Sequence, residues 1–186
     1  MKGLKSEFSS RLEKDEGTSK VKSLVDAALD KIEDQRDAIY VEGSGTTRNT
    51  AGSNYIFEIA QTLNNLTKDF RECRGQDQFA KEDALHIIGL ASEVHGILSE
   101  AQSSDEFDFS VSSSAKHLEF SIGAAMLDNR ILTATALKAL PTYTQDQIRS
   151  GVEKLGYSVS DDFMKDMNEK AAVGRAYMDM YDHTPS

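Results

Sequence analysis

Apolar residues recur every three or four positions along most of the chain, the spacing that places them on one face of an α-helix. The first such run predicts a helix from about residue 18 to 40, and the second predicts a helix from about residue 54 to 74. In the second run the apolar positions form a heptad seam: Ile56, Ile59, Leu63, Leu66, Phe70 and Cys73. A seam this short is more typical of the core face of a bundle than of an extended coiled coil.

The same periodicity predicts four more helices, at about residues 78–101, 113–140, 144–155 and 160–181. Pro141 ends the fourth helix, and Thr144 with Gln147 forms a capping box at the start of the fifth. Gly89 and Gly96 lie inside the third helix, where each glycine costs up to about 1 kcal/mol of helix propensity. We therefore expect a neighbouring element to pack closely against both glycines.

Three segments lack this periodicity. Residues 1–17 are charged and predict a polar N-terminal arm. Residues 42–53 read EGSGTTRNTAGS, a run of small and polar residues that predicts a flexible loop. Residues 102–114 are acidic and serine-rich, and they predict a loop that tucks Phe107 and Phe109 onto the bundle.

Together these elements predict an all-α fold. We expect an antiparallel bundle of four long helices plus a C-terminal α-hairpin made by the fifth and sixth helices, in one helical domain covering residues 18–186. Only two prolines occur in 186 residues, so little interrupts the helices.

The charge of the chain narrows the classes of partner. Twenty-one Lys and Arg residues against 31 Asp and Glu residues leave a formal charge of −10, which repels nucleic acid and anionic lipid. Cations and acids are interleaved without a basic patch, so direct nucleic-acid binding is not expected. The link between the fifth and sixth helices has helix-turn-helix spacing, but Asp161, Asp162 and Asp166 would repel phosphate there. An acidic inhibitor of a nucleic-acid-binding protein stays open as an alternative.

The chain contains no run of about 18 apolar residues that would predict a membrane span. Its N-terminus lacks the apolar centre of a signal peptide. A single cysteine fits a reducing compartment, so we expect a cytoplasmic protein without a membrane partner.

The sequence offers few residues that could form a catalytic or metal-binding site. Of the four histidines only His86 has an acid, Glu82, at helical spacing, and no second helix supplies the matching pair that a di-iron bundle needs. No catalytic residue, cofactor or metal ligand is therefore predicted. A ligand-binding or enzymatic bundle with a site between helices stays open, and it would be favoured if His86 or His95 were buried beside acids from another helix.

By elimination, the sequence favours a non-enzymatic protein that acts through its surface, either by binding a protein partner or by self-assembly as a structural or accessory subunit. The C-terminus is rich in Met and Tyr, residue types that favour adaptable interfaces. The predicted interface residues are Phe107, Phe109, Tyr177, Met178, Met180 and Tyr181.

Overall fold

A computed structural model of the chain describes residues 20–36, 43–74 and 81–169. These residues form six α-helices and no strand: α1 (Lys20–Gln35), α2 (Gly45–Arg74), α3 (Lys81–Ser103), α4 (Ser112–Leu137), α5 (Gln145–Lys154) and α6 (161–169). The all-α helical bundle predicted from the sequence is confirmed. The N-terminal arm and four of the predicted interface residues, Tyr177, Met178, Met180 and Tyr181, lie outside the described residues.

The core is built from the stripes that the periodicity predicted. Every apolar seam residue of α2 from Ile56 to Phe70 is buried, and the side chain of Cys73 lies outside the described residues. Burying a large apolar side chain contributes about 1.5–3 kcal/mol, so these stripes dominate the stability of the bundle. The largest side chains with almost no exposed area are Phe70, Phe163, Ile32, Ile56, Ile59, Leu63, Ile87, Ile88, Leu90, Leu98, Leu118 and Leu132.

Neighbouring helices α2 and α4 make the most extensive contact in the bundle, and they run in the same direction. Asn49 Nδ2 donates to Ser114 Oγ at 3.0 Å, and about one turn further along α2 Ser53 Oγ meets Ser121 Oγ at 2.8 Å. Because residue numbers rise together along both helices, the pair is parallel. The small serine side chains at these contacts allow the two helices to approach closely.

Helix α1 lies against α2 and α3 on the other side of the bundle. The Tyr55 hydroxyl donates to the Ile32 carbonyl at 2.9 Å, and Lys31 pairs with Glu58 at 3.5 Å, so α1 is antiparallel to α2. Consecutive long helices therefore alternate in direction, as predicted. Around the bundle, however, the order is α1, α2, α4, α3, which places parallel helices side by side.

The start of α2 differs from the expectation that residues 42–53 form a flexible loop, which was wrong from Gly45 onward. Asn49 is fully buried, its Nδ2 donates to the Asp108 carbonyl at 2.7 Å, and its Oδ1 accepts from the Asp108 N–H at 2.9 Å. A Cβ added at Gly52 would lie 2.5 Å from the Phe107 ring. Contacts with the α3–α4 connection thus hold a segment of low helix propensity in a helix.

Helix α3 is enclosed on almost all sides, since every residue from Asp83 to His95 is buried. The expected close contact at Gly89 is confirmed, because an added Cβ would lie 2.2 Å from the Tyr157 ring. The expectation for Gly96 was wrong: nothing lies within 4 Å of an added Cβ there, and the residue faces solvent.

No described helix is long and apolar enough to cross a bilayer.

Helices α5 and α6 close one side of the bundle. Thr144 and Gln147 form the predicted capping box, with hydrogen bonds of 3.2 and 2.8 Å. The chain then turns at Gly156, whose φ of +100° favours glycine. Phe163 anchors α6 in the core.

Candidate interaction surface

The solvent-facing side of α2 carries no charge over most of its length. From residue 46 to 65 the exposed positions are Thr46, Thr47, Thr50, Asn54, Phe57, Gln61, Asn64 and Asn65. Exposed helix faces are normally rich in charged residues, and this chain is 28% charged overall. An uncharged exposed stripe is therefore unusual for this molecule.

The two charged residues between Gly45 and Leu66 are both turned toward other elements. Arg48 pairs with Glu106 of the α3–α4 connection at 3.7 Å, and Glu58 pairs with Lys31 of α1 at 3.5 Å. At the chain-wide 28%, a stretch of 22 residues would carry about six charges, so residues 45–66 have a third of that number. Both of these charged residues lie off the uncharged stripe.

Two phenylalanines stand out from the exposed surface. Phe57 of α2 is 50% exposed and Phe120 of α4 is 73% exposed. Aromatic residues are enriched and charged residues are depleted at the centres of protein–protein interfaces, whereas a large exposed apolar side chain contributes nothing to the fold. These exposures make the two rings candidates for contact with another molecule.

The register of the parallel pair brings both rings onto one face. Ser53 of α2 is level with the turn of α4 between His117 and Ser121, because its hydroxyl donates to the His117 carbonyl at 3.3 Å and lies near Ser121 Oγ. Phe57 is four residues, or about 6 Å, further along α2. Phe57 and Phe120 therefore lie on adjacent helices about one turn apart.

Neighbouring positions of α4 extend this surface. Gly123 is exposed, and Ala124 and Leu127 are partly exposed. We call the combined surface the outer face; it consists of Thr50, Asn54, Phe57, Gln61 and Asn64 of α2 with Phe120, Gly123, Ala124 and Leu127 of α4. The named residues are apolar or carry amides and hydroxyls, and exposed Lys116 and His117 lie beside them, one turn before Phe120 on α4.

Gly123 has no role inside the chain. A Cβ added there meets nothing within 4 Å, in contrast to Gly52 and Gly89, where an added Cβ would strike an aromatic ring. Glycine within a helix costs roughly 0.5–1 kcal/mol relative to alanine. The fold would therefore be more stable with alanine at 123, and the glycine leaves a shallow gap beside Phe120.

Asp128 is an acidic group that borders the outer face. Asp128 is two turns after Ser121, so it projects toward α2, and burial there raises its pKa to about 6. Its charge is therefore partly suppressed at mildly acidic pH. This is the only acid for which burial near the α2–α4 contact produces a resolved shift among the described residues.

The structure separates the two predicted interface residues of the α3–α4 connection. Phe107 is only 5% exposed and packs against Gly52, so its ring is covered by the chain itself and is not available to a partner. Phe109 is 37% exposed and lies near Glu119 and Ile122, on the other side of α4 from Phe120. The pair thus does not form one contact surface.

Phe57 and Phe120 were not among the residues singled out from the sequence. Phe57 directly follows Ile56, and Phe120 lies two positions after Leu118. Ile56 and Leu118 both belong to the apolar stripe of their helix. A large apolar residue just off the stripe of an amphipathic helix is the signal that identifies them. Burial cannot be read from periodicity alone, so the sequence did not separate them from the core.

The centre of the bundle is not wholly apolar, which bears on the alternative of an inter-helix ligand site. His86 Nδ1 lies 2.7 Å from the Tyr157 hydroxyl, and Glu93 Oε1 accepts from the Ser158 N–H at 2.8 Å. Ser92 Oγ donates to the Ser158 carbonyl at 2.5 Å. These hydrogen bonds hold the α5–α6 link against α3.

Burial changes the titration of two groups on α3. It raises the pKa of Glu93, although the Ser158 N–H opposes the shift, and it lowers the pKa of His95 despite nearby Asp166 and Asp162. The His95 ring stacks edge-on against Phe163, with centroids 5.6 Å apart. His95 is thus buried near acids of α6, but its ring contact is apolar.

Within the described residues, no group of three or more His, Cys, Asp and Glu side chains is placed to hold a metal ion. Comparisons of the chain with protein-family models, with curated proteins and with solved structures found no match.

Proposed function

We propose that this protein is a non-enzymatic helical subunit that works by protein–protein contact, and that the outer face is its contact surface. The observation that carries the proposal is the 73% exposure of Phe120 near a half-exposed Phe57, next to a stretch of α2 whose exposed positions from residue 46 to 65 carry no charge. Both rings lie at positions where the fold buries them only in part.

Three physical features support contact with a protein. Desolvating an uncharged face avoids the large cost of burying unpaired ions. Aromatic side chains provide large contact area at low conformational cost, and they are frequent among the residues that dominate binding energy. The surrounding amides and hydroxyls can form hydrogen bonds at the rim of such an interface.

Charge also bears on the class of partner. With a net charge of −10, the molecule as a whole repels nucleic acid and anionic membranes. A protein is therefore the favoured partner.

The single cysteine in the chain suits a reducing compartment, and we propose the cytoplasm as the location of this protein.

Photo-crosslinking in the cells that express the chain tests the proposal. A photoreactive phenylalanine analogue placed at Phe120 should crosslink to a protein, whether a second copy or a different chain, and mass spectrometry would identify the product. The same analogue at Phe109, which is exposed on another side of α4, is the matched control. If position 120 yields no more protein adduct than position 109, the outer face is not a contact surface.

A further inference from the structure

We propose that the partner binds the outer face through an apolar surface that carries a lysine or arginine, and that this cation pairs with Asp128. The inference rests on the proposed function and adds the chemistry of the partner. It follows from the position of Asp128 at the edge of the outer face, from the surroundings of its carboxylate, and from the cost of covering that carboxylate.

Asp128 lies on the side of the outer face that is next to α2. It is seven residues after Ser121 of α4, whose hydroxyl meets that of Ser53 of α2 at 2.8 Å. Because the two helices are parallel, Asp128 is level with Ala60 and Gln61, which come seven and eight residues after Ser53. Its side chain is partly exposed there, within reach of a molecule that covers the outer face.

The exposed charged residues near Phe120 are placed differently from Asp128. Glu119 comes nine residues earlier (128 − 119), or about two and a half helical turns, so the two acids lie on opposite sides of α4. Lys116 and His117 come twelve and eleven residues earlier, about 18 and 16 Å along the helix axis. Neither of these basic residues is close enough to pair with Asp128.

The carboxylate of Asp128 makes no hydrogen bond or ion pair within the described part of the chain, and burial is the cause of its raised pKa. Arg130, two residues later, binds Asp166 of α6 at 3.1 Å. On α2 the exposed side chains nearest in level, Gln61 and Asn64, are uncharged. The fold thus partly desolvates this carboxylate, and no cation of the described residues compensates it.

A partner on the outer face would remove more water from Asp128. Burying an ionised carboxylate alone is costly, so the group must pair with a cation or take up a proton. A lysine or arginine forms a charge-assisted hydrogen bond with a carboxylate and meets this need. The net charge of −10 favours the same partner, because it attracts a basic protein and repels an acidic one such as a second copy of this chain.

The yield of photo-crosslinking at position 120 tests the inference. With Asp128→Asn we expect the yield of protein adduct to fall at least about 10-fold, because the cation of the partner is buried without its counter-charge. Asp128→Lys should remove the adduct completely. Asp146→Asn and Asp146→Lys are the matched controls, since Asp146 is an exposed acid of α5, a helix that packs on α3.

Urea unfolding of the free chain separates a contact role of Asp128 from a structural one. Above about pH 6 the Asp128→Asn variant should be more stable than the natural chain, because an amide avoids the desolvation of a charge. The same substitution is therefore expected to strengthen the fold and to weaken the contact. If the loss of adduct is accompanied by a loss of stability, Asp128 acts through the fold and this inference fails.

Exchange of the two charges identifies the cation. Once mass spectrometry has located the crosslinked site in the partner, glutamate in place of the lysine or arginine beside that site should restore the adduct of Asp128→Lys. An unchanged yield with Asp128→Asn, or an adduct that consists only of a second copy of this chain, overturns the basic partner and leaves the contact function standing. If position 120 gives no more adduct than position 109, the contact function fails as well.

Discussion

At the scale of single residues, helical glycines of this protein differ in whether a neighbour packs against them: Gly89 is in close contact, whereas Gly96 and Gly123 are not. Gly89 and Gly96 lie seven residues apart on α3, so sequence periodicity treats them alike. An added Cβ at Gly89 would strike the Tyr157 ring, whereas the space at Gly96 and Gly123 is open. The difference depends on Tyr157, which is 68 residues from Gly89 (157 − 89) and is brought there only by the turn after α5.

We predict that Gly89→Ala destabilises the protein by about 2–3 kcal/mol, because Tyr157 must move and its hydroxyl then loses its position near His86 Nδ1. Gly96→Ala on the same helix should stabilise it by roughly 0.5–1 kcal/mol through helix propensity alone. Urea unfolding of both variants measures the difference. Equal effects at the two positions would show that Tyr157 does not pack on Gly89.

At the scale of elements, α2 shows how tertiary contacts override local preference. Its first turns consist of Gly, Thr, Asn and Ser, which favour loops because their side chains compete with backbone hydrogen bonds. In the fold, Asn49 instead bonds the backbone of Asp108 in both directions, and it also reaches Ser114. A single buried amide thus links the start of α2 to the α3–α4 connection and to α4.

We predict that Asn49→Ala destabilises the protein by about 2–3 kcal/mol, since the Asp108 backbone and the Ser114 hydroxyl lose their partner and a cavity remains at a fully buried position. Residues 45–53 should then exchange their amide hydrogens faster than the rest of α2, which can be measured by mass spectrometry. Thr50→Ala is the control, because this exposed hydroxyl bonds only the Thr46 carbonyl of its own helix. Uniform protection along α2 in the Asn49 variant would refute the role of this residue.

At the scale of the whole molecule, the buried carboxyl groups and the buried His95 change the free energy of unfolding in opposite directions as pH changes. Burial raises the pKa values of Glu93 and Asp128, so both disfavour the native state once they ionise. Burial lowers the pKa of His95, so the native state loses stability when falling pH protonates this histidine in the unfolded chain. The carboxylates therefore penalise high pH and the histidine penalises low pH.

We predict that ionisation of Asp128 lowers the free energy of unfolding progressively as pH rises from about 4 to about 6, because burial raises the pKa of this carboxyl in the native state. Asp128→Asn should raise stability at about pH 8 by about 1 kcal/mol, allowing for solvent screening of a partly exposed group. The gain should fall away below about pH 4, where aspartate is protonated in both states. Urea unfolding across this pH range tests the profile, and a gain that persists undiminished at about pH 4 would exclude Asp128 titration as its cause.

The helices whose signals are local could be predicted from the amino-acid sequence. The apolar stripes of α1, α3, α4 and α5 follow from the helical repeat, and the capping box of Thr144 and Gln147 joins residues three positions apart. Such interactions need no distant partner, so their pattern is visible in the linear chain. The all-α class followed from the same information.

The start of α2, the order of helices around the bundle and the composition of the outer face follow from the packing and could not be predicted from the sequence. Each depends on residues far apart in sequence: Asn49 meets Asp108, Ser53 meets Ser121, and Phe57 joins Phe120 on one surface because α2 and α4 are parallel. Periodicity shows which face of a helix is apolar but not which neighbour covers it. For that reason the exposed rings, which carry the proposed function, could be recognised only once the packing was known.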